Sequence, residues 1–196
     1  MEIRTVAGEE LVAAIPALAR LRMTVFRDYP YLYDGSEAYE TGYLRTYASC
    51  DAAMAVLARE GDTIVGASTG IPMAHETAAF REPFARLGLD PARIFYCGES
   101  VLLPAYRGRG IYRAFFRGRE DWARTLGGFT QICFCAVQRP ADHPLRPRDY
   151  VPLDAAWRHF GYAPEPGLTM QLAWKDIDRD ADTEHTMRFW FKALSA

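Results

Sequence analysis

From Glu99 to Arg113 the chain reads Glu-Ser-Val-Leu-Leu-Pro-Ala-Tyr-Arg-Gly-Arg-Gly-Ile-Tyr-Arg, an apolar strand followed by a glycine-bearing turn and the start of a helix. Residue types in this order can build an anion site. Gly108 and Gly110 let the backbone turn tightly and approach a ligand with no Cβ in the way. The unpaired amides at the start of the next helix, with its dipole, favour negative charge. Arg107, Arg109 and Arg113 add positive charge suited to phosphate oxygens, so a pyrophosphate fits. The same spacing also describes an ordinary tight turn with solvated arginines, and spacing alone does not separate the two. Two well-known phosphate loops are excluded, because no Lys-Ser/Thr pair stands at Walker spacing and the Gly-x-Gly-x-x-Gly pattern is not met. Glu99, at the head of the segment, is a carboxylate set among apolar neighbours, and strand alternation places it on one face with Cys97 and Val101. Burying a carboxylate there costs free energy unless it is paired, a setting from which enzymes draw proton acceptors. Pairing with an arginine for purely structural reasons is the competing reading.

Periodicity shows what must hold this segment. Residues 1–6 read as a short strand, and residues 9–26 carry Leu11, Ile15, Leu18, Val25 and Phe26 at helical spacing, with Arg22 breaking the apolar face. Pro16 marks a kink or the start of a second helical piece. A tyrosine-rich stretch follows over residues 29–47, with residues 37–48 helical. Residues 53–59 and 63–73 are strands joined by Glu60-Gly61-Asp62, a good hairpin connection. An excursion over residues 75–90 has Phe80, Phe84 and Leu87 at helical spacing, interrupted by Pro83. Residues 93–103 read as one strand. Residues 110–126 read as a helix with Ile111, Ala114, Phe115, Gly118 and Trp122 along one face, closed by Gly127-Gly128. Residues 129–137 are apolar enough to be buried on both faces, as parallel strands are. A Pro- and Arg-rich loop over residues 138–152, a short helix over 154–160, and two alternating strands over 168–175 and 186–192 complete the order. Neither a repeat nor a linker interrupts it, which implies one mixed α/β domain over residues 1–196.

Bulk properties narrow the function. A net charge of −2 gives no electrostatic footprint for nucleic acid. No apolar run approaches the roughly 20 residues of a membrane helix, and the N-terminus lacks the pattern of a signal peptide. A cytoplasmic protein is therefore expected. Cys97, Cys133 and Cys135 lie in apolar strand-like runs, as packed free thiols do, and Cys50 stands near the end of a helix. With no Cys-x-x-Cys pair, a metal site is not expected.

Arg107-x-x-Gly110-x-Tyr112, after an apolar strand ending at Pro104, resembles the acyl-CoA signature of the GNAT superfamily of N-acetyltransferases, Arg/Gln-x-x-Gly-x-Gly/Ala. The order of strands and helices is similar across essentially the whole chain. The resemblance implies a mixed, splayed central sheet of about seven strands with helices on both faces, and acetyl-CoA as cofactor. It implies that the amides from Arg107 through Gly108, Arg109, Gly110 and Ile111 to Tyr112 hold the pyrophosphate, with Arg113 in reach of a phosphate. It further implies that the backbone of Val101, Leu102 and Leu103 pairs with the pantetheine arm, and that the strand over residues 129–137 diverges to open the cleft. Three departures stand out. Tyr112 occupies the usual small-residue position, and the segments 75–90 and 138–152 are long, so both could wall the acceptor pocket.

Glu99 stands where related enzymes often carry an acidic residue, which makes it the candidate general base for an amine that must lose a proton before attack. The family's late-helix tyrosine, which protonates the leaving thiolate, is matched here by Trp157, and Tyr150 is the substitute candidate; solvent is the alternative. His143 is a second candidate base or a surface loop residue, and His159 is expected to cover the core. Cys135 reads as a packed thiol. Tyr29, Tyr31, Tyr33, Tyr39, Tyr43 and Tyr47, interleaved with acidic residues, suit a cationic amine or a covering layer for the sheet. The reading is an acetyl-CoA-dependent N-acetyltransferase acting on the primary amine of a small molecule, with homodimer formation left open. A protein-amine acyltransferase and a non-catalytic acyl-CoA-binding module are the alternatives.

Overall fold

Five helices and eight strands form over residues 1–194, the part of the chain that this computed structural model describes. The β1 strand (Glu2–Ala7) leads into α1 (Gly8–Phe26) and α2 (Glu37–Ala48), and β2 (Met54–Glu60) and β3 (Thr63–Pro72) make the expected hairpin. Next come α3 (Ala78–Arg86), β4 (Ile94–Tyr96), β5 (Ser100–Leu102) and α4 (Ile111–Leu126). The chain finishes with β6 (Gln131–Val137), α5 (Asp154–His159), β7 (Ala163–Lys175) and β8 (Asp182–Ala193).

The sheet order is β1-β2-β3-β4-β6-β8-β7, with β5 also paired to β3. Only β4 and β6 run parallel; the other pairings are antiparallel. Because β4 and β5 are two pieces of one expected strand, the sheet has the seven rows anticipated. Apolar stripes of α1, α2 and α3 pack on one face through Leu11, Leu18, Leu44 and Phe84. The other face is covered by α4 through Ile111, Phe115 and Phe116, with Trp157 of α5 alongside. Among the described residues no helix is long and apolar enough to cross a membrane.

Pro16 does not divide α1. The residue one turn earlier, Val12, lies on the exposed side, where water can serve the carbonyl that loses its partner. Ser36 caps α2 by accepting a hydrogen bond from the Tyr39 amide, a contact worth about 1 kcal/mol.

The strand over residues 93–103 is broken, and this break positions the site. The Cys97 amide still donates to the Cys133 carbonyl of β6 at 2.8 Å. Two residues later the Glu99 carbonyl accepts from the Thr69 amide and from Ser68 Oγ of β3. Gly98 lies between, and a Cβ there would come within 2.1 Å of the Tyr47 hydroxyl. The extra residue resets the alternation, as a bulge does. Cys97 packs on the α4 side, whereas Val101 packs on the α1 side and the Glu99 side chain reaches Arg22 of α1. The expectation that Cys97, Glu99 and Val101 share one face is therefore corrected.

Candidate active site

Beyond Cys97 the two middle strands part company. The β5 strand follows β3, with Leu102 opposite Gly66, while β6 follows β8, with Phe134 opposite Trp190 and Val137 opposite Met187. A wedge-shaped cleft of about 290 Å³ opens between them, floored by α4 and α5. Its strand edge has free backbone groups. The Leu103 amide donates to Val65 at 3.0 Å, and the Glu99 carbonyl accepts from Thr69. In an antiparallel ladder, bonded and non-bonded pairs alternate, so Val101 is also committed to β3 and the polar groups of Ser100 and Leu102 face the cleft. Of the three residues expected to pair with a pantetheine arm, Leu102 presents its backbone, joined by Ser100.

At the mouth of the cleft the expected turn is present. Gly108 and Gly110 have φ of +76° and +79°, left-handed values that favour glycine. Nothing lies within 4 Å of a Cβ built at Gly110, so backbone conformation and not crowding calls for glycine there. Gly110 is the N-cap of α4 and supplies no side chain, which leaves the amides of Ile111, Tyr112 and Arg113 for a ligand. Ile111 anchors this end in the core. Arg107, Arg109 and Arg113 are exposed. Arg109 folds back over the Tyr106 ring and donates to the Ala105 carbonyl, and Arg107 approaches Asp28 at 4.0 Å. The residues fit an anionic, extended ligand: free amides and exposed positive charge at the mouth, and an unpaired strand edge leading inward.

A second cavity, of about 100 Å³, lies on the opposite face of the sheet. Tyr31, Tyr33, Tyr39, Tyr43 and Trp174 supply much of its wall, and it shares Phe26, Tyr31, Gly98 and Cys135 with the cleft. The two spaces meet where β4 and β6 separate. Beside this junction Arg22 is held between Glu40 and Glu99, both of whose side chains are 0% exposed. Its guanidinium also lies over the rings of Phe26 and Tyr43. Burial works against a charged guanidinium, but Glu99 and Glu40 together hold Arg22 protonated, its pKa well above the ordinary value. Two carboxylates against one guanidinium leave an excess negative charge. Glu40 Oε1 and Glu99 Oε1 have no hydrogen-bond partner.

Glu76 adds a third buried carboxyl. It accepts from the hydroxyls of Tyr43 at 3.2 Å and Tyr47 at 3.0 Å, and from the Thr77 amide at 2.8 Å. Burial pushes its pKa above the usual carboxylate range. Sequence reasoning missed the roles of Arg22, Glu40 and Glu76. The signal for Arg22 was its charge at an apolar position of α1.

Four tyrosines line the cleft, Tyr29, Tyr31, Tyr112 and Tyr150. Tyr150 is half-buried, edge-on to Tyr29 with ring centres 4.6 Å apart and beneath Arg146; burial raises its pKa. Tyr112 turns its ring into the cleft, and its hydroxyl accepts from Trp157 Nε1 at 2.8 Å. A phenol from α4 thus stands at the tip of the tryptophan that replaces the expected tyrosine. His143 stays in its loop, where Nδ1 accepts from the Leu145 amide, and His159 is exposed instead of covering the core. The Cys135 thiol shares a 3.2 Å hydrogen bond with the Tyr96 hydroxyl. Burial pushes its pKa up to about 12, so it is a protonated, packed thiol.

A sheet wedged open beside an uncapped helix N-terminus, with a second cavity beside the wedge, suits an acyl-CoA-dependent acyltransferase. Residues 17–147 match the acetyltransferase (GNAT) family, more than half of the chain, and the chain belongs to that family. Solved structures of similar fold include the ribosomal-protein-alanine N-acetyltransferase of Brucella melitensis, at a TM-score of 0.62 and 15% identity over 99% of this chain and 100% of that one. An N-acetyltransferase of Staphylococcus aureus Mu50 has a TM-score of 0.60 at 10% identity, covering 100% of both chains. Arabidopsis thaliana NAA60 in complex with acetyl-CoA has a TM-score of 0.62 at 10% identity, again over 100% of both. At such identities the likeness shows the fold. No curated protein sequence matches this chain.

Proposed function

We propose that this acetyltransferase moves the acetyl group of acetyl-CoA to the primary amine of a small molecule. The observation that carries the reading is the meeting of two unlike spaces at Gly98 and Cys135. One suits an anionic, extended donor; the other, aromatic and with the buried Glu40 in its wall, suits a cationic acceptor. Its volume of about 100 Å³ favours a small amine over the terminus of a folded protein.

When bound, acetyl-CoA supplies an activated thioester carbonyl. The amides of Ile111, Tyr112 and Arg113 receive the pyrophosphate, with Arg107, Arg109 and Arg113 screening its charge. The cleft-facing backbone of Ser100 and Leu102 pairs with the arm as an added strand would, and cleft-facing amides of this edge stabilise negative charge on the reacting oxygen. The excess negative charge of the Glu40–Arg22–Glu99 cluster attracts the ammonium. Glu99, through the oxygen that Arg22 leaves free, takes the ammonium proton so that the nitrogen lone pair can attack. Of the tyrosines lining the cleft, Tyr112 and Tyr150 are the candidates to return a proton to the departing thiolate. Tyr112 is the better placed, because Trp157 fixes its hydroxyl oxygen while leaving the hydroxyl proton free to be donated.

Turnover across a panel of small primary amines, in wild type and Glu99→Gln, tests this. The variant should lose about 10²–10⁴-fold in turnover while acetyl-CoA affinity stays within a few-fold. Unchanged turnover across the pH range removes Glu99 from the role of base. A wild type that binds acetyl-CoA yet acetylates no amine would support a binding module instead.

A further inference from the structure

Arg119 of α4 is 2% exposed and lines the cleft near its narrow end. Its Nη1 donates to Ser68 Oγ and Ser100 Oγ, both at 2.8 Å, and the guanidinium lies over the Phe116 ring at 4.6 Å. Its other two nitrogens, Nε and Nη2, have no acceptor. In a planar guanidinium these N–H groups point the same way from one edge, at the spacing of the two oxygens of a carboxylate. The serines and the phenylalanine therefore fix the guanidinium plane and leave one two-pronged edge, buried from solvent, without a partner.

No side chain among the described residues forms an ion pair with this charge; Glu120 acts on it only from a distance. Among the described residues no carboxylate lies within 4.0 Å of an Arg119 nitrogen, the distance that defines the ion pairs here. The neighbouring Glu120 is taken by Lys192 at 2.8 Å, with Tyr162 and Arg124 beside it. The Cys97 thiol is held neutral, burial pushing its pKa to about 11. A desolvated guanidinium with neither counter-ion nor complete hydrogen bonding is strongly unfavourable. The chain keeps one on the face of α4 that otherwise carries Ile111, Phe115 and Phe116.

We infer that Arg119 forms a carboxylate-binding site at the inner end of the cleft, for acyl donors whose acyl chain ends in a carboxylate, such as malonyl-CoA or succinyl-CoA. The inference rests on the proposed reading of the cleft as the site of a CoA thioester. Location decides that the carboxylate arrives with the donor. Arg119 lies on the α4 face, level with Ser100 and Cys97, whereas the aromatic cavity proposed for the acceptor opens on the α1 and α2 face. A donor held by its pyrophosphate at Ile111 and by its arm along Leu102 and Ser100 delivers its acyl end beside Arg119. The reaction is the same transfer: the C–N bond forms, the C–S bond breaks, and the thiolate leaves with the electron pair and takes up a proton. The distal carboxylate is unchanged and remains on the product amide.

Calorimetric titration of acetyl-CoA, malonyl-CoA and succinyl-CoA into wild type, Arg119→Met and Arg119→Lys provides the test, with folding of each variant checked by thermal unfolding. Wild type should bind at least one of the two dicarboxylic thioesters tenfold or more tightly than acetyl-CoA. Arg119→Met should shrink that preference by tenfold or more. Arg119→Lys, which keeps the charge without the paired edge, should fall between, and it carries the test if the methionine variant does not fold. Wild type that binds acetyl-CoA but shows no preference for either dicarboxylic thioester overturns this inference and leaves the proposed function standing. An equal loss of all three thioesters in the variants also overturns it, since Arg119 would then be a structural group. Failure of wild type to bind any of the three overturns both.

Discussion

Replacing Arg22 with methionine probes the centre of the acceptor side. Glu40 and Glu99 are both fully buried, and Arg22 is the one cation that touches them among the described residues. Removing one partner of a buried ion pair leaves an uncompensated charge and costs about 3–5 kcal/mol; here one substitution strands two carboxylates, so the upper part of that range applies. For a domain of this size each kcal/mol lowers the midpoint by roughly 2–4 °C, so about 4–5 kcal/mol gives a fall of roughly 8–20 °C. The triple variant Arg22→Met, Glu40→Gln, Glu99→Gln removes the charges together, and neutral replacement of a buried cluster is often close to neutral in stability. It should recover most of the loss. Thermal unfolding of wild type, single and triple variants is the assay. A single variant that loses less than about 1 kcal/mol, or a triple variant no more stable than the single one, would show that Arg22 does not hold these carboxylates as described.

Two further outcomes follow from the site. Gly110→Val forces a branched side chain into a left-handed conformation at the N-terminus of α4; acetyl-CoA affinity measured by calorimetry should drop at least tenfold, and retained affinity in a folded variant would place the pyrophosphate elsewhere. Glu76 has its pKa raised by burial, so its contribution to stability is full below the unfolded value of about 4.3 and declines as pH rises through the folded value. Relative to Glu76→Gln, which does not titrate, wild type should therefore be favoured most near pH 4 and progressively less toward pH 7 in denaturant unfolding. A wild-type advantage that grows with pH would reverse the sign.

What the sequence revealed was local. The hairpin around Gly61, the helix from Ile111 and the turn at Gly108 and Gly110 are legible because periodicity and positive φ act on neighbouring residues. The break at Gly98 is not legible, because it answers to the Tyr47 hydroxyl arriving from α2. It misled the face assignment around Glu99 for the same reason. The pairing of Arg22 with Glu40 and Glu99 spans 18 and 77 positions, so only an interrupted apolar stripe hinted at it. Arg119 interrupts the stripe of α4 in the same way, and its serine partners come from two different strands. Trp157 at the place of the family's late-helix tyrosine is legible in the sequence, and an indole has no acidic proton to give. That Tyr112, the departure from the small-residue position, reaches the tip of Trp157 needed the packing of α4 against α5. A buried charge on an apolar helix face was the signal common to Arg22 and Arg119.

Thermal unfolding in the presence of acetyl-CoA tests the central claim, that the wedge between β5 and β6 takes a CoA thioester. At about a hundred times the dissociation constant, binding adds ~2.7 kcal/mol to stability, which for a chain of this size is a rise of roughly 5–11 °C. That rise in wild type, lost in Gly110→Val, is the predicted result. An unchanged midpoint with saturating acetyl-CoA would contradict the account, leaving the arginine-glycine turn a turn and nothing more.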